Sequence, residues 1–233
     1  MSAVRGIGFD LDHTLAIDNR LERVAFLRLL EVVLDEGGQT IGTLTDEVES
    51  IDALLARQRG GAFTIDEAVR HFVAQHSVEP ADRHVETFRR YAVDMVGTFV
   101  VALPGVRSTL AALHERGIAV AILSNGWNPL QRRKAEQVGF RGPILVSDEI
   151  GAQKPAARAF ECLLQTLESD APETWYVGDD PECDVAGAQA AGLQGIWLDW
   201  ERKAYPQQLR APDRTITGLR QLIELSPSAV RAT

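Results

Sequence analysis

The chain holds 233 residues, 45% of them hydrophobic, with 24 Lys and Arg against 33 Asp and Glu for a net charge of -9. This is enough apolar material for a full core with room for an insertion, while the acidic balance excludes a nucleic-acid-binding face and an anionic membrane as partners. Two cysteines, Cys162 and Cys183, stand far apart in no metal spacing, so the expectation is a reducing, cytoplasmic setting without a disulfide framework.

The first stretch, Val4 to Leu15, reads VRGIGFDLDHTL. Ile7, Gly8 and Phe9 are expected in a short buried strand over residues 5–11, which delivers Asp10 and Asp12, with Thr14 just beyond, where the strand ends. Neighbouring carboxylates repel and are costly to desolvate, so the pair asks for a cation or a shared proton. A capped turn, with Asp12 and Thr14 bonding local amides, is the plainer alternative.

From about 19 to 99 the pattern is helical. The first segment, Arg20 to Leu34, is apolar through Val24, Leu27, Leu30 and Leu34 and is stopped by Gly37 and Gly38. The second carries Leu44, Val48, Ile51 and Leu55 and ends at Gly60 and Gly61. The third begins at Thr64, which with Glu67 has the spacing of a capping box, and buries Ile65, Val69 and Phe72. The fourth is expected to start with Pro80 in its first turn and to run through Val85, Phe88, Ala92 and Met95. Such segments make a small bundle.

Beyond Val100, short apolar runs alternate with helical stretches. The runs are Ala119 to Leu123, Ile144 to Val146, Trp175 to Val177 and Gly195 to Leu198; helices are expected near Val106 to Arg116, Pro129 to Val138, Pro155 to Leu167 and Pro181 to Ala191. This alternation predicts an α/β fold, a Rossmann-like doubly wound parallel sheet that includes the first strand. The expected domains are a core of 1–15 and 104–225, an inserted all-helical cap of 16–103, and a flexible tail of 226–233. No apolar run approaches the ~20 residues of a membrane span.

Ligands of doubly wound sheets sit outside the carboxyl ends of the strands. Here those ends lead into Ser124-Asn125-Gly126 with Asn128 and Pro129, into Gly151 and Lys154-Pro155, and into Gly178-Asp179-Asp180-Pro181 with Asp184. Helix starts gathered at one place favour an anion such as phosphate.

Four pieces, FDLDHT, ILSNG, GAQKP and VGDDPECD, in this order resemble the four motifs of the haloacid dehalogenase superfamily. The resemblance covers the chain outside the helical insert, which lies where that superfamily carries a helical cap of its first type. It implies a magnesium-dependent phosphohydrolase working through an aspartyl-phosphate. Asp10 would be nucleophile and metal ligand, and Asp12 general acid, then general base, with its backbone carbonyl on the metal. Ser124 and the amide of Asn125 would bind phosphoryl oxygens, Lys154 would join nucleophile to phosphate, and Asp179 would hold the metal. Asp180, adjacent to Asp179, could face the metal in its place or support it, but before Pro181 it also fits a helix cap and Asp179 is favoured; Asp184 either ligates or orients Lys154. These residue types suit the chemistry: a carboxylate nucleophile splits one hard displacement into two, and magnesium prefers carboxylate, water and phosphate oxygens.

Asp12 argues against a dehalogenase, which has no need of a second carboxylate. A phosphosugar mutase, or a silent module that binds a phosphorylated ligand, shares the motifs. The stretch ILSNGWNPLQRRKAEQVGF is similar to the branch holding pyrimidine nucleotidases and N-acylneuraminate 9-phosphatases. Asp18, Asn19, Arg20, Arg57 and Arg59 are specificity candidates that read equally as solvated charges. His13 is placed to face a leaving group, Trp127 to stack on a ring or pack, and the remaining histidines to sit on the surface or at caps. A cap that closes over the strand ends would admit only a small phosphomonoester. The sequence does not fix the oligomeric state.

Overall fold

The computed structural model describes residues 4–226. In chain order the elements begin with β1 (Gly6–Phe9), β2 (Ala16–Ile17), α1 (Leu21–Asp35), α2 (Leu44–Arg59), α3 (Ile65–Gln75), α4 (Asp82–Asp94) and α5 (Val96–Phe99). Next come β3 (Val101–Ala102), α6 (Val106–Glu115), β4 (Ala119–Ser124), α7 (Leu130–Val138), β5 (Ile144–Val146), α8 (Ser147–Ile150) and α9 (Ala157–Leu167). The chain closes with β6 (Thr174–Gly178), α10 (Gly187–Ala190), β7 (Gln194–Leu198), β8 (Arg214–Ile216) and α11 (Gln221–Leu225). Two compact units divide the chain: one holds everything up to Asp18 and from Val100 onward, the other Asn19–Phe99. Of the tail expected from 226, Ser226 is buried and bonded to Arg116, and 227–233 lie outside the described residues.

The first unit is built on a six-stranded sheet in the order β5-β4-β1-β6-β7-β8, with each neighbouring pair parallel. Flanking helices give the α/β class that the alternating pattern predicts. β1 lies in the interior, Gly6 to Phe9 pairing Ala119 to Ile122 on one side and Thr174 to Val177 on the other. Successive side chains of a strand point to opposite faces, so Ala121, Leu123 and Tyr176 pack one face against Phe160, Leu163 and Leu167 of α9. Ile7, Phe9, Ile122 and Val177, one residue out of phase, fill the other face and are wholly buried.

Strand β8 and the antiparallel β2–β3 ribbon were not expected. Runs of two or three residues are too short to show a period, and Arg214-Thr215 makes β8 polar. Prolines also misled. Pro129 is the residue before α7 and not its first turn, Pro155 precedes α9 by two residues, and Pro80 lies outside α4, whose N-cap is Ala81.

In the second unit, Phe26 meets Phe72 and Phe88 at ring-centroid distances of 5.1 and 4.4 Å. Thr64 and Glu67 form the expected box, Thr64 Oγ1 accepting from the Glu67 amide at 3.3 Å and Glu67 Oε2 from the Thr64 amide at 2.8 Å. The face of α1 is turned from expectation, burying Phe26, Leu29, Leu30 and Val33 and leaving Leu34 exposed; α2 buries Ile51 and Leu55 as expected, but Leu44 is exposed and Glu47 is buried. Glu47 belongs inside because His76, which caps the end of α3 as one of the two expectations had it but is wholly buried, meets its carboxylate at 2.8 Å. His84 is likewise buried, and its ring nitrogen accepts from the Ala81 amide.

Gly8 marks the tightest point of the sheet. A Cβ there would lie 2.4 Å from Leu163 Cδ2 and 2.8 Å from Tyr176 Cδ2, and the tyrosine ring is pinned by its hydroxyl, which donates to the Leu123 carbonyl at 2.7 Å. Leu163 can turn away, but the ring cannot. Gly8→Ala is expected to destabilise the protein by about 1–3 kcal/mol through overpacking, read as a lower urea midpoint. An unchanged midpoint would show slack between α9 and the sheet.

Candidate active site

The carboxyl ends of β1, β4 and β6 bring together residues from all four motifs. Asp10 follows β1 directly, Ser124 ends β4, and Asp179 follows β6. The Lys154 ammonium, buried, donates to Asp10 Oδ1 at 2.6 Å and to Asp184 Oδ1 at 2.7 Å. Its loop is clamped to the second motif by Asn125, whose side-chain amide donates to the Lys154 carbonyl at 2.9 Å and accepts from the Lys154 amide at 2.8 Å. Asn125 thus has a structural task that its spacing did not reveal. The same junction is closed by Ser147, which accepts from the Gly126 amide at 3.0 Å.

Carboxylate oxygens of Asp10, Asp179 and Asp184 lie within 4.8 Å of one another. Gly178 permits this: a Cβ on it would stand 2.1 Å from Asp184 Oδ2, so only glycine lets the π-helical turn of Pro181–Ala186 fold Asp184 back over the end of β6. Asp180 takes no place in the cluster. Its Oδ1 accepts from the amides of Glu182 and Cys183, both at 2.8 Å, which makes it the helix cap that its position before Pro181 suggests. Burial pushes the Asp10 carboxyl up to about 7, with Lys154 opposing and Asp184 and Asp12 adding to the rise. Burial, then the charges of Asp10 and Asp180, takes Asp179 to about 7 as well. Burial opposes the charge on Lys154 too, but Asp10 and Asp184 outweigh it and hold the ammonium well above the ordinary lysine range. Three hard oxygen ligands carrying more negative charge than one lysine neutralises fit a divalent cation such as magnesium.

Asp12 faces elsewhere. Its Oδ2 accepts from Gln131 Nε2 at 2.8 Å and its Oδ1 from the Lys134 ammonium at 2.9 Å. Gln131 also donates to Ser124 Oγ at 2.8 Å, and Lys134 to Asp18 Oδ2 at 3.0 Å. Both α7 residues are buried and neither was singled out from the sequence, yet a signal existed. Leu130, Lys134 and Val138 share one row at four-residue steps, and Gln131 and Ala135 the adjacent row, so polar side chains interrupt a buried stripe. Asp18, a specificity candidate, is buried beside Lys134. Of the other candidates, Asn19 bonds the Phe99 carbonyl, Arg57 lies over the Phe63 ring and Arg59 approaches Glu22. His13 is exposed, Trp127 is buried, and burial pushes the Cys183 thiol up to about 11.

The description "haloacid dehalogenase-like hydrolase" matches residues 4–192. Over 100 residues the chain is 39% identical to ribulose-1,5-bisphosphate 5-phosphatase of Halopiger xanaduensis, covering 42% of each protein. It is 32% identical over 138 residues to pyrimidine 5′-nucleotidase YjjG of Escherichia coli, covering 57% of this chain and 60% of that one. The matched stretches therefore span only about half the length of these relatives. The solved structure of the hydrolase YfnB from Bacillus subtilis superposes with a TM-score of 0.72 at 22% identity, over 96% of this chain and 99% of that one, a likeness of fold. Among the described residues no helix is long and apolar enough to cross a membrane.

The charge of the cluster has a measurable sign. Asp10 and Asp179 titrate near 7 when folded, against 3.8 when unfolded, so the folded state binds more protons between these limits and loses stability as pH rises through them. Glu36, lowered to about 2 by Arg83 and then His84, acts only at more acid pH. In chelator the melting temperature is expected to fall from pH 5 to pH 8 by the equivalent of a few kcal/mol, in order of magnitude, and magnesium is expected to restore it most at pH 8. A flat profile, or equal effects of magnesium at both pH values, would count against the cluster.

Proposed function

This chain belongs to the haloacid dehalogenase-like hydrolases, and on that premise we propose that it is a magnesium-dependent phosphatase acting on a small phosphomonoester through an aspartyl-phosphate. Asp10 carries the proposal: one carboxylate oxygen is held by Lys154 at 2.6 Å inside the Asp10, Asp179 and Asp184 cluster, at the end of an interior strand. Magnesium bound by Asp10 and Asp179, and by the backbone of Asp12, would set positive charge against the phosphate oxygens. Asp184 either joins this ligand set or serves to hold Lys154.

The residues then divide the work. Ser124 and the Asn125 amide grip the phosphoryl oxygens, and Lys154 fixes Asp10 while its charge faces the phosphate. The Asp10 oxygen attacks phosphorus, the bond to the ester oxygen breaks, and Asp12 gives that oxygen its proton, so an alcohol leaves. Asp12 next takes a proton from water, whose oxygen attacks the same phosphorus. The bond to Asp10 breaks, and inorganic phosphate and the carboxylate are released.

The relatives named above are phosphatases of a sugar bisphosphate and of pyrimidine nucleotides, which supports a small ester as substrate and keeps the nucleotidase-like branch in view. Connectivity supports the same size limit. The helical unit interrupts the sheet unit directly after the nucleophile strand and is joined to it through the β2–β3 ribbon, as suits a lid that selects small substrates.

Phosphate release over a panel of sugar phosphates, short phospho-acids and mononucleotides at fixed magnesium tests the assignment. At least one small ester is expected to exceed every phosphopeptide and 5′-phosphorylated oligonucleotide in kcat/KM; the reverse order would refute the lid. Asp10→Asn should abolish turnover and covalent phosphate capture, whereas Asp12→Asn should slow turnover by roughly 10² to 10⁴. Substantial activity left in Asp10→Asn would exclude it as nucleophile. Calcium, with its larger and looser coordination, should inhibit.

A further inference from the structure

Helix α7 holds two buried polar side chains that the steps above leave unused. Lys134, only 1% exposed, reaches both Asp12 and Asp18; Gln131, 2% exposed, reaches Asp12 and Ser124. Both oxygens of Asp12 are thus held by donors one helical turn apart on a single helix, and its carboxylate stays out of the Asp10, Asp179 and Asp184 cluster. Taking a lysine out of water is costly, and one carboxylate would suffice to pair it. Here the ammonium bridges Asp12 to Asp18, the last residue before the chain enters the helical unit. Asp12 is therefore referenced at once to α7 and to the end of the ribbon.

We propose that Lys134, assisted by Gln131, is a positioning residue for Asp12. It keeps the carboxylate where it can exchange protons and prevents it from turning into the acidic cluster, where a cation would capture it. The proposal rests on the assignment of Asp12 as general acid, and the helix supplies what that task needs: a freely rotating aspartate two residues from the nucleophile would be drawn to the strongest charge nearby.

The test compares wild type, Asp12→Asn, Lys134→Met and the double variant, with magnesium present, on 4-nitrophenyl phosphate and on glycerol 2-phosphate. The aryl leaving group departs without a proton and the alkoxide does not, and kcat/KM reports only steps up to the phosphoenzyme. The ratio of alkyl to aryl kcat/KM should drop at least roughly tenfold in Asp12→Asn, drop in the same sense in Lys134→Met, and fall no further in the double variant. Should circular dichroism show Lys134→Met unfolded, Gln131→Met, which strands no charge, is expected to lower the same ratio. A Lys134→Met protein that loses both substrates equally, while Asp12→Asn still discriminates, overturns the positioning role. If Asp12→Asn itself leaves the ratio unchanged, the general-acid assignment falls, and the positioning role falls with it.

Discussion

One buried ammonium among three carboxylates sets the terms for the sheet unit. Lys154 touches Asp10 and Asp184 and lies 5.4 Å from the centre of the Tyr176 ring, whose hydroxyl is itself tied to Leu123. Such a charge is tolerated only while carboxylates stay within reach, since an ammonium left without them would be an unpaired ion in a low-dielectric interior. The ends of β1 and β6 and the loop after β5 are thereby obliged to keep their relative positions. The Asn125 clamp on the Lys154 backbone extends that obligation to the end of β4. Chemistry and architecture share the same bonds.

Glycine placement follows from the same crowding. Gly8 lets α9 and Tyr176 close on the interior strand, and Gly178 lets Asp184 return over its own strand end. Neither residue contributes a functional group. At Gly178 a side chain would push a charged partner out of range, and at Gly8 it would force apart the strand, Tyr176 and α9.

The fold was legible because its periods are clean: apolar runs of strand length alternating with amphipathic stretches, then a long helical interruption after the first strand. Asp10 and Asp179 were legible because a carboxylate at the end of a buried strand is costly to desolvate, whereas Lys154, in the loop between α8 and α9, stood out only through its place among the four motifs. Gln131 and Lys134 were hidden by the opposite circumstance, since a helix full of charged residues, QRRKAEQ, conceals which of its polar side chains face inward. The same ambiguity turned α1 from its expected face and hid Glu47 of α2. The apolar residues of α1 spread over more than one stripe, and Glu47 gained a buried place through the Ile41 amide and through His76, a partner far along the chain. Prolines showed where the chain turns but not on which side of the turn the helix begins.

The interior position of β1 has a consequence for how the protein is made. Gly6 pairs with Ala119 on one side and Thr174 on the other, so the strand that leads to Asp10 is synthesised well before both of its neighbours. At ribosomal speeds of about 5–20 residues per second, Ile7 and Phe9 wait roughly ten to thirty seconds before β6 emerges to cover them. The helical unit is translated within that interval and draws its own core from Phe26, Phe72 and Phe88, so it can condense while the nascent β1 remains unpaired. Nascent-chain folding thus runs inside out relative to sequence order, and Asp10 gains its neighbours Asp179 and Asp184 only after the helical unit and the strands β4 to β6 have been made.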